Sequence, residues 1–224
     1  MPPPEPAAGA PGSTAAALGD AAEQLGCALT TGQVDQLLRY RSLLTRWNRI
    51  HNLTAITDDG AVLTHHLLDC LAAVPSLDRH AGGRPLVILD VGSGAGLPSV
   101  VLAIARPGWR IIAVDAVAKK ARFIQQVAIE LGLPNLESLH TRAEVAPTVN
   151  ADVAVSRALG SLADFTRWTR HHLAASGIWL AMKGKPPTDE IDALPADVLV
   201  FHVEPLKVPG LDAERCLVWM RPAP

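Results

Sequence analysis

At 224 residues with 49% hydrophobic content, the chain carries enough apolar material for one well-packed domain with modest additions. A formal net charge of −2 excludes a general polycation and leaves room only for a local basic face. No apolar run is expected to reach membrane-span length, no basic-then-apolar secretory signal opens the sequence, and three cysteines without a C-x-x-C read as reduced, packed thiols of a cytoplasmic protein.

Residues 1–14, rich in Pro, Ala and Gly, read as a disordered tail. Residues 15–80 form a helical extension. In it Val34, Leu37, Leu38, Leu44, Trp47 and Ile50 recur mostly at three- and four-residue intervals, while Arg39, Arg46 and Arg49 share another face. Residues 64–74 predict a further helix, stopped at Pro75. From residue 81 to residue 224 strands alternate with helices. Strands are expected at 86–91, 110–115, 136–140, 152–156 and 178–182, and helices at 98–105, 117–131 and 162–174. That alternation predicts a doubly wound α/β domain, its parallel sheet covered on both faces. Residues 198–203 and 216–220 are strand-like, with only a loop containing Pro205, Pro209 and Gly210 between them. They predict a C-terminal antiparallel hairpin and bring the mostly parallel sheet to seven strands.

The first strand ends in Asp90 and opens into Gly92, Gly94 and Gly96, with an apolar helix directly after. Glycine puts no Cβ between a ligand and the main-chain N–H groups, so a ligand is expected to lie on this backbone. The Gly-x-Gly-x-Gly spacing lacks the extra residue of the dinucleotide fingerprint. Asp115 closes the second strand, where a carboxylate accepts hydrogen bonds from ribose hydroxyls. Two ligand classes stay open at this point. A nicotinamide or flavin dinucleotide would place a pyrophosphate on the helix N-terminus; S-adenosylmethionine has an ammonium and a sulfonium that suit Asp90, and the terminal hairpin also favours it. At the third strand end Ala143 and Glu144 either border an adenine ring or start a helix. At the fourth, Ser156 and Arg157 fall at the crevice where open α/β sheets bind ligands, unless a neighbouring carboxylate takes Arg157.

Further segments appear in a fixed order: Trp47-Asn48-x-x-His51-Asn52-Leu53-Thr54, His65-His66-x-x-Asp69, Asp90 to Pro98, Asp115-x-x-x-Lys119-Lys120, Arg142-Ala143-Glu144, Ser156-Arg157-Ala158 and Met182-Lys183-Gly184. Over residues 43–221 they resemble the bacterial small-subunit ribosomal RNA methyltransferase G family, also called glucose-inhibited division protein B. The resemblance implies a class I methyltransferase fold, S-adenosylmethionine as donor with S-adenosylhomocysteine as product, and N7 of one guanine in 16S ribosomal RNA as acceptor. Carried over by motif, it places Gly92, Leu97, Ala143, Glu144 and Arg157 in the donor site. The glycine turn and the strand ends add Asp90, Ser93, Gly94, Gly96 and Asp115. The chain departs from the family pattern at Ser99, where glycine commonly follows the proline, and at Ala116 and Cys70, where serines are common.

Guanine N7 carries a lone pair and no proton, so methylating it needs no general base. It needs in-line geometry, a dry site and a donor for the neighbouring O6. Lys183, ending the fifth strand, and Arg157 are the candidates for that catalytic role. Arg39, Arg46, Arg49, Arg142, Lys183 and Arg215 are the candidate RNA contacts; Lys119, Lys120 and Arg122, and Arg167, Arg170, His171 and His172, form further basic groups. His51, His65 and His66 lack metal-ligand spacing; His66 and Asp69, three apart, instead brace the helical segment against the sheet. The expected partner is 16S ribosomal RNA or the small subunit, with no metal and no membrane, and the protein is expected to be a monomer. Other readings are a methyltransferase for another RNA position or a small molecule, a non-catalytic S-adenosylmethionine- or RNA-binding module, and an NAD-dependent oxidoreductase.

Overall fold

The computed structural model describes residues 11–224. Helix α1 (Pro11–Gln24) begins inside the segment expected to be a tail. Proline is at home in a first helical turn, where its missing N–H has no partner to lose, and alanines follow it. Residues 1–10 of the expected tail lie outside the described residues. Helix α2 (Thr31–His51) starts at a capping box: the Thr30 hydroxyl accepts from the Gln33 N–H at 3.2 Å, and the Thr30 N–H donates to the Gln33 side chain at 2.9 Å.

The next helical stretch is irregular. Helix α3 (Asp59–Val62) passes into a π-helical turn (Leu63–Leu68) and then α4 (Asp69–Leu71); α5 (Val74–Ala81) follows after a break. Pro75 therefore opens a helix instead of stopping one. Contrary to the sequence expectation, the run Gly60–Ala81 is long and apolar enough to cross a bilayer by length and composition. Yet 67% of its 18-residue apolar window is buried inside the protein, which makes it a core element here.

Strands β1 (Val87–Val91), β2 (Arg110–Asp115), β3 (Leu136–His140), β4 (Ala151–Arg157), β5 (Leu173–Lys183), β6 (Val198–Leu206) and β7 (Arg215–Pro222) form one sheet, ordered β3-β2-β1-β4-β5-β7-β6. The first five are parallel, and β7 and β6 add antiparallel pairs. Helices α6 (Ser99–Ala105), α7 (Ala118–Leu131) and α8 (Leu162–Thr169) are the crossovers, and the short α9 (Thr188–Asp192) has no counterpart in the sequence reading. Helix α8 ends earlier than expected because residue 173 already pairs with Ala151 of β4. Pro205 lies within β6 and not in the hairpin loop; β6 is the sheet's edge strand, where a missing N–H is tolerated.

One face of the sheet packs Ile88, Ile111 and Leu180 with α6, α7 and the N-terminal helices in a continuous core that includes Leu18, Leu37 and Leu71. The other face packs Leu89, Ile112 and Trp179 against Phe165 of α8. This is the doubly wound class I arrangement. Its strand order reverses between β1 and β4, which opens a crevice at the carboxyl ends of those strands.

Candidate active site

The turn after β1 is left-handed at all three glycines, with φ of +68° at Gly92, +58° at Gly94 and +88° at Gly96. The N–H groups of Gly92 and Ser93 both donate to the Val114 carbonyl, at 2.9 and 3.2 Å, which ties the turn to the end of β2. Asp115 accepts from the Gly94 N–H at 2.9 Å and the Val117 N–H at 2.8 Å. Each carboxylate oxygen keeps a second acceptor site, so this bracing leaves capacity for ligand hydroxyls.

Asp90 does not reach the cavity wall. It is completely buried beneath the turn, its Oδ2 accepting from the Ser99 N–H at 3.0 Å and its Oδ1 without a partner. The expected contact with a ligand ammonium is thereby replaced by a brace across the start of α6. Burial pushes its carboxyl up to about 7, opposed by hydrogen bonding to Ser99. A raised folded-state value means that the native protein keeps a proton which the unfolded chain releases near pH 4. Stability from this group is present at low pH and is lost as pH rises towards 7. Relative to Asp90→Asn, the wild-type protein is expected to lose about 4 kcal/mol between pH 4 and pH 8, read from urea unfolding at each pH. Comparison with the variant is needed because His66, held down at about 4, contributes a slope of the opposite sign.

Tyr40 of α2 reaches the same turn. It is fully buried, and its hydroxyl donates to the Ala95 carbonyl at 2.6 Å. Nothing local in the sequence marks it. Tyr40→Phe leaves that buried carbonyl unpaired, with an expected loss of about 1–3 kcal/mol in chemical denaturation and weaker donor binding by calorimetry.

Beyond the turn lies a cavity of about 250 Å³ lined by Gly92, Asp115, Ala143, Glu144, Leu159 and Trp168, among others. Glu144 sits in the 3-10 turn Ala143–Val145, 3.4 Å from Arg142. The Ala143 carbonyl accepts from His172 Nε2 at 2.8 Å; His172 is fully buried and is therefore no part of a surface basic cluster. Ser93, Gly94, Gly96 and Leu97 shape the turn from behind, with Ser93 and Leu97 buried. The site fits S-adenosylmethionine by its own chemistry. A close-approach backbone at Gly92, where a Cβ would stand 2.7 Å from Leu159 Cδ1, adjoins carboxylates at the ends of β2 and β3.

A second cavity, about 450 Å³, is lined from the π-helical turn and the ends of β4, β5 and β7, with Ala158 in its wall where Leu159 lines the first. Arg157 lines this cavity and not the first. Its Nη1 donates to Asp69 Oδ2 at 2.9 Å and to the His65 carbonyl at 3.0 Å. Asp69 Oδ1 accepts from Arg215 Nε at 2.8 Å. Arg157 Nη2 approaches His66 Nδ1 at 3.2 Å, and His66 Nε2 approaches the Thr54 hydroxyl at 2.8 Å. His66 Nδ1 also lies 3.0 Å from the His65 carbonyl, so this ring nitrogen faces a donor, the Arg157 guanidinium, on one side and an acceptor on the other. Burial first, and then the Arg157 charge, keep the ring neutral. The bracing role expected for His66 and Asp69 is thus realised through Arg157 and Arg215. Lys183 also lines this cavity, gripped by Glu190 of α9 at 2.9 Å to each carboxylate oxygen.

The α2 arginines are not one free basic face. Arg39 donates to the Glu130 carbonyl at 2.8 Å and Arg46 lies 3.6 Å from the Glu130 carboxylate, so both fasten α2 to α7. Arg49 is exposed beside a cavity whose Thr54, Ala55 and Ile56 also line the second cavity. Arg142 is exposed at the rim of the first.

The sequence profile of a family described as GidB, rRNA small subunit methyltransferase G, matches residues 33–218. The ribosomal RNA small subunit methyltransferase G of Polaromonas naphthalenivorans is 53% identical over 204 residues, covering 89% of this chain and 92% of that protein. Its counterpart from Leptothrix cholodnii is 56% identical over 201 residues, covering 90% and 92%. The crystal structure of a SAM dependent methyltransferase from Aquifex aeolicus superposes with a TM-score of 0.53 at 17% identity, over 73% of this chain and 94% of that one, a likeness of fold.

Proposed function

The chain belongs to the rRNA small subunit methyltransferase G family, and on that premise we propose that it transfers a methyl group from S-adenosylmethionine to N7 of one guanine in 16S ribosomal RNA. The observation that carries this reading is a pair of cavities lined by consecutive residues, Leu159 in the first and Ala158 in the second, with Asp115 and Glu144 lining the one and Arg157 and Lys183 the other. When bound, S-adenosylmethionine supplies a methyl group activated by a positively charged sulfur.

Asp115 accepts from the sugar hydroxyls of the donor, and Ala143 and Glu144 border its base. In the second cavity, Lys183 and Arg157 are the groups that orient a purine through O6. With no proton to remove at N7, positioning and exclusion of water supply the catalysis, and none of these residues acts as a base. Arg142, exposed at the rim of the first cavity, and Arg49, exposed at a cavity that shares Thr54, Ala55 and Ile56 with the second, are suited to backbone phosphates. The low net charge favours recognition of a shaped ribosomal target over general affinity for RNA. Such an enzyme works in the cytoplasm, where ribosomal subunits are built.

Purified protein with labelled donor is expected to label small-subunit RNA at a single guanine. Borohydride and aniline cleavage of RNA from cells with and without the protein is expected to locate N7-methylguanine there. Absence of label, or label at a position resistant to that cleavage, overturns the reading.

A further inference from the structure

Methyl transfer to N7 poses an electrostatic problem. The N7–CH3 bond forms, the S–CH3 bond breaks with its electron pair kept by sulfur, and one positive charge passes onto the base without any proton moving. An isolated ammonium at O6 would repel that charge. Lys183, only 15% exposed, is placed to make that contact. Its ammonium is not isolated. Both Glu190 carboxylate oxygens accept from Nζ at 2.9 Å, while the third contact, to the Gly160 carbonyl, is long at 3.4 Å. Glu190 is absent from the cavity wall and stands behind Lys183 on α9. Its Oε2 also accepts from the Leu162 N–H at 2.8 Å, which anchors the carboxylate to the first turn of α8.

We propose that Glu190 is a positioning residue for the methyl transfer. It aims one loosely held N–H of Lys183 at O6 of the acceptor, and its negative charge cancels the repulsion between the ammonium and the methylated base. The proposal rests on the guanine-N7 reading above and adds a residue to it.

Glu190→Gln keeps an oxygen for the Leu162 N–H and removes the charge; Glu190→Asp keeps the charge. With S-adenosylhomocysteine present, Glu190→Gln is expected to bind small-subunit RNA at least as tightly as wild type, since the cavity becomes more positive. Its single-turnover methyl transfer is expected to fall about tenfold, while Glu190→Asp stays within about threefold of wild type. In a Lys183→Met background, Glu190→Gln is expected to change the rate less than about twofold, because the residue acts through the lysine. Equal rates for wild type and Glu190→Gln overturn the proposal. So does a fall equal in the Asp and Gln variants, a fall matched by lost RNA affinity, or the full fall in the Lys183→Met background. If wild type places no label at a guanine N7, the underlying functional reading fails, and this proposal with it.

Discussion

Gly96→Ala is expected to cost about 2–5 kcal/mol of folding stability, the largest loss of any substitution in the glycine turn. Two causes add. At φ of +88° a side chain is disfavoured for any L-residue, and the new Cβ would stand 2.5 Å from Val100 Cγ2 and 3.4 Å from Ile124 Cγ1. Those side chains belong to the buried, close-packed core of α6 and α7. The neighbouring glycines separate the two causes. At Gly94, with φ of +58°, a Cβ meets nothing nearer than 3.8 Å, so Gly94→Ala should show only the backbone penalty, about 1–2 kcal/mol. At Gly92 the clash is with the flexible end of Leu159, which lines the first cavity. Gly92→Ala is therefore expected to lose donor affinity by calorimetry out of proportion to its loss in a melting curve. A common stability loss across the three variants would show that contact with the core is not what sets Gly96 apart.

Asp69→Ala is the second large effect. Asp69 is 5% exposed at its side chain and holds two arginines, Arg157 and Arg215, which are themselves 20% and 22% exposed. Its loss leaves two guanidiniums facing each other with little water, at an expected cost of about 3–5 kcal/mol. Removing Arg215 alone leaves Asp69 paired with Arg157, so Arg215→Met should cost clearly less. The wall of the second cavity depends on this clamp, because Arg157 also holds the His65 carbonyl and His66. Methyl transfer should therefore fall in Asp69→Ala even at temperatures where it stays folded. Chemical denaturation and single-turnover labelling of small-subunit RNA check the two halves. A stability equal to that of Arg215→Met would mean that the carboxylate does not hold both arginines at once.

Much of the fold was legible because its signals are local. The strands ending at Asp115 and His140 begin and end as expected, the first a short apolar run closed by an aspartate and the second a short stretch that holds Leu136 and Leu139. The hairpin, too, followed from two strands without a helix between them. The site was legible only in outline. Gly92, Asp115 and the Ala143-Glu144 pair line the first cavity as their strand-end positions suggested. Asp90 was misplaced, because its position at a strand end says nothing about the turn folding over it. Glu190 passed unnoticed, because α9 is too short to leave a periodic signal.

The chain's own order of apolar, polar and glycine residues thus determined the main strands and crossover helices, the class of sheet and the left-handed glycine turn, since each depends largely on neighbours within a few residues. Which polar side chains meet was decided by the tertiary structure alone. On α2, Gln33 and Gln36 look like surface residues, yet they donate to the Ile104, Ala105 and Leu131 carbonyls at the ends of α6 and α7. Tyr40 joins the same helix to the glycine turn, 55 residues away. The backbone groups that a helix or turn leaves unpaired must find partners somewhere, and only the path of the crossovers brings those partners within reach.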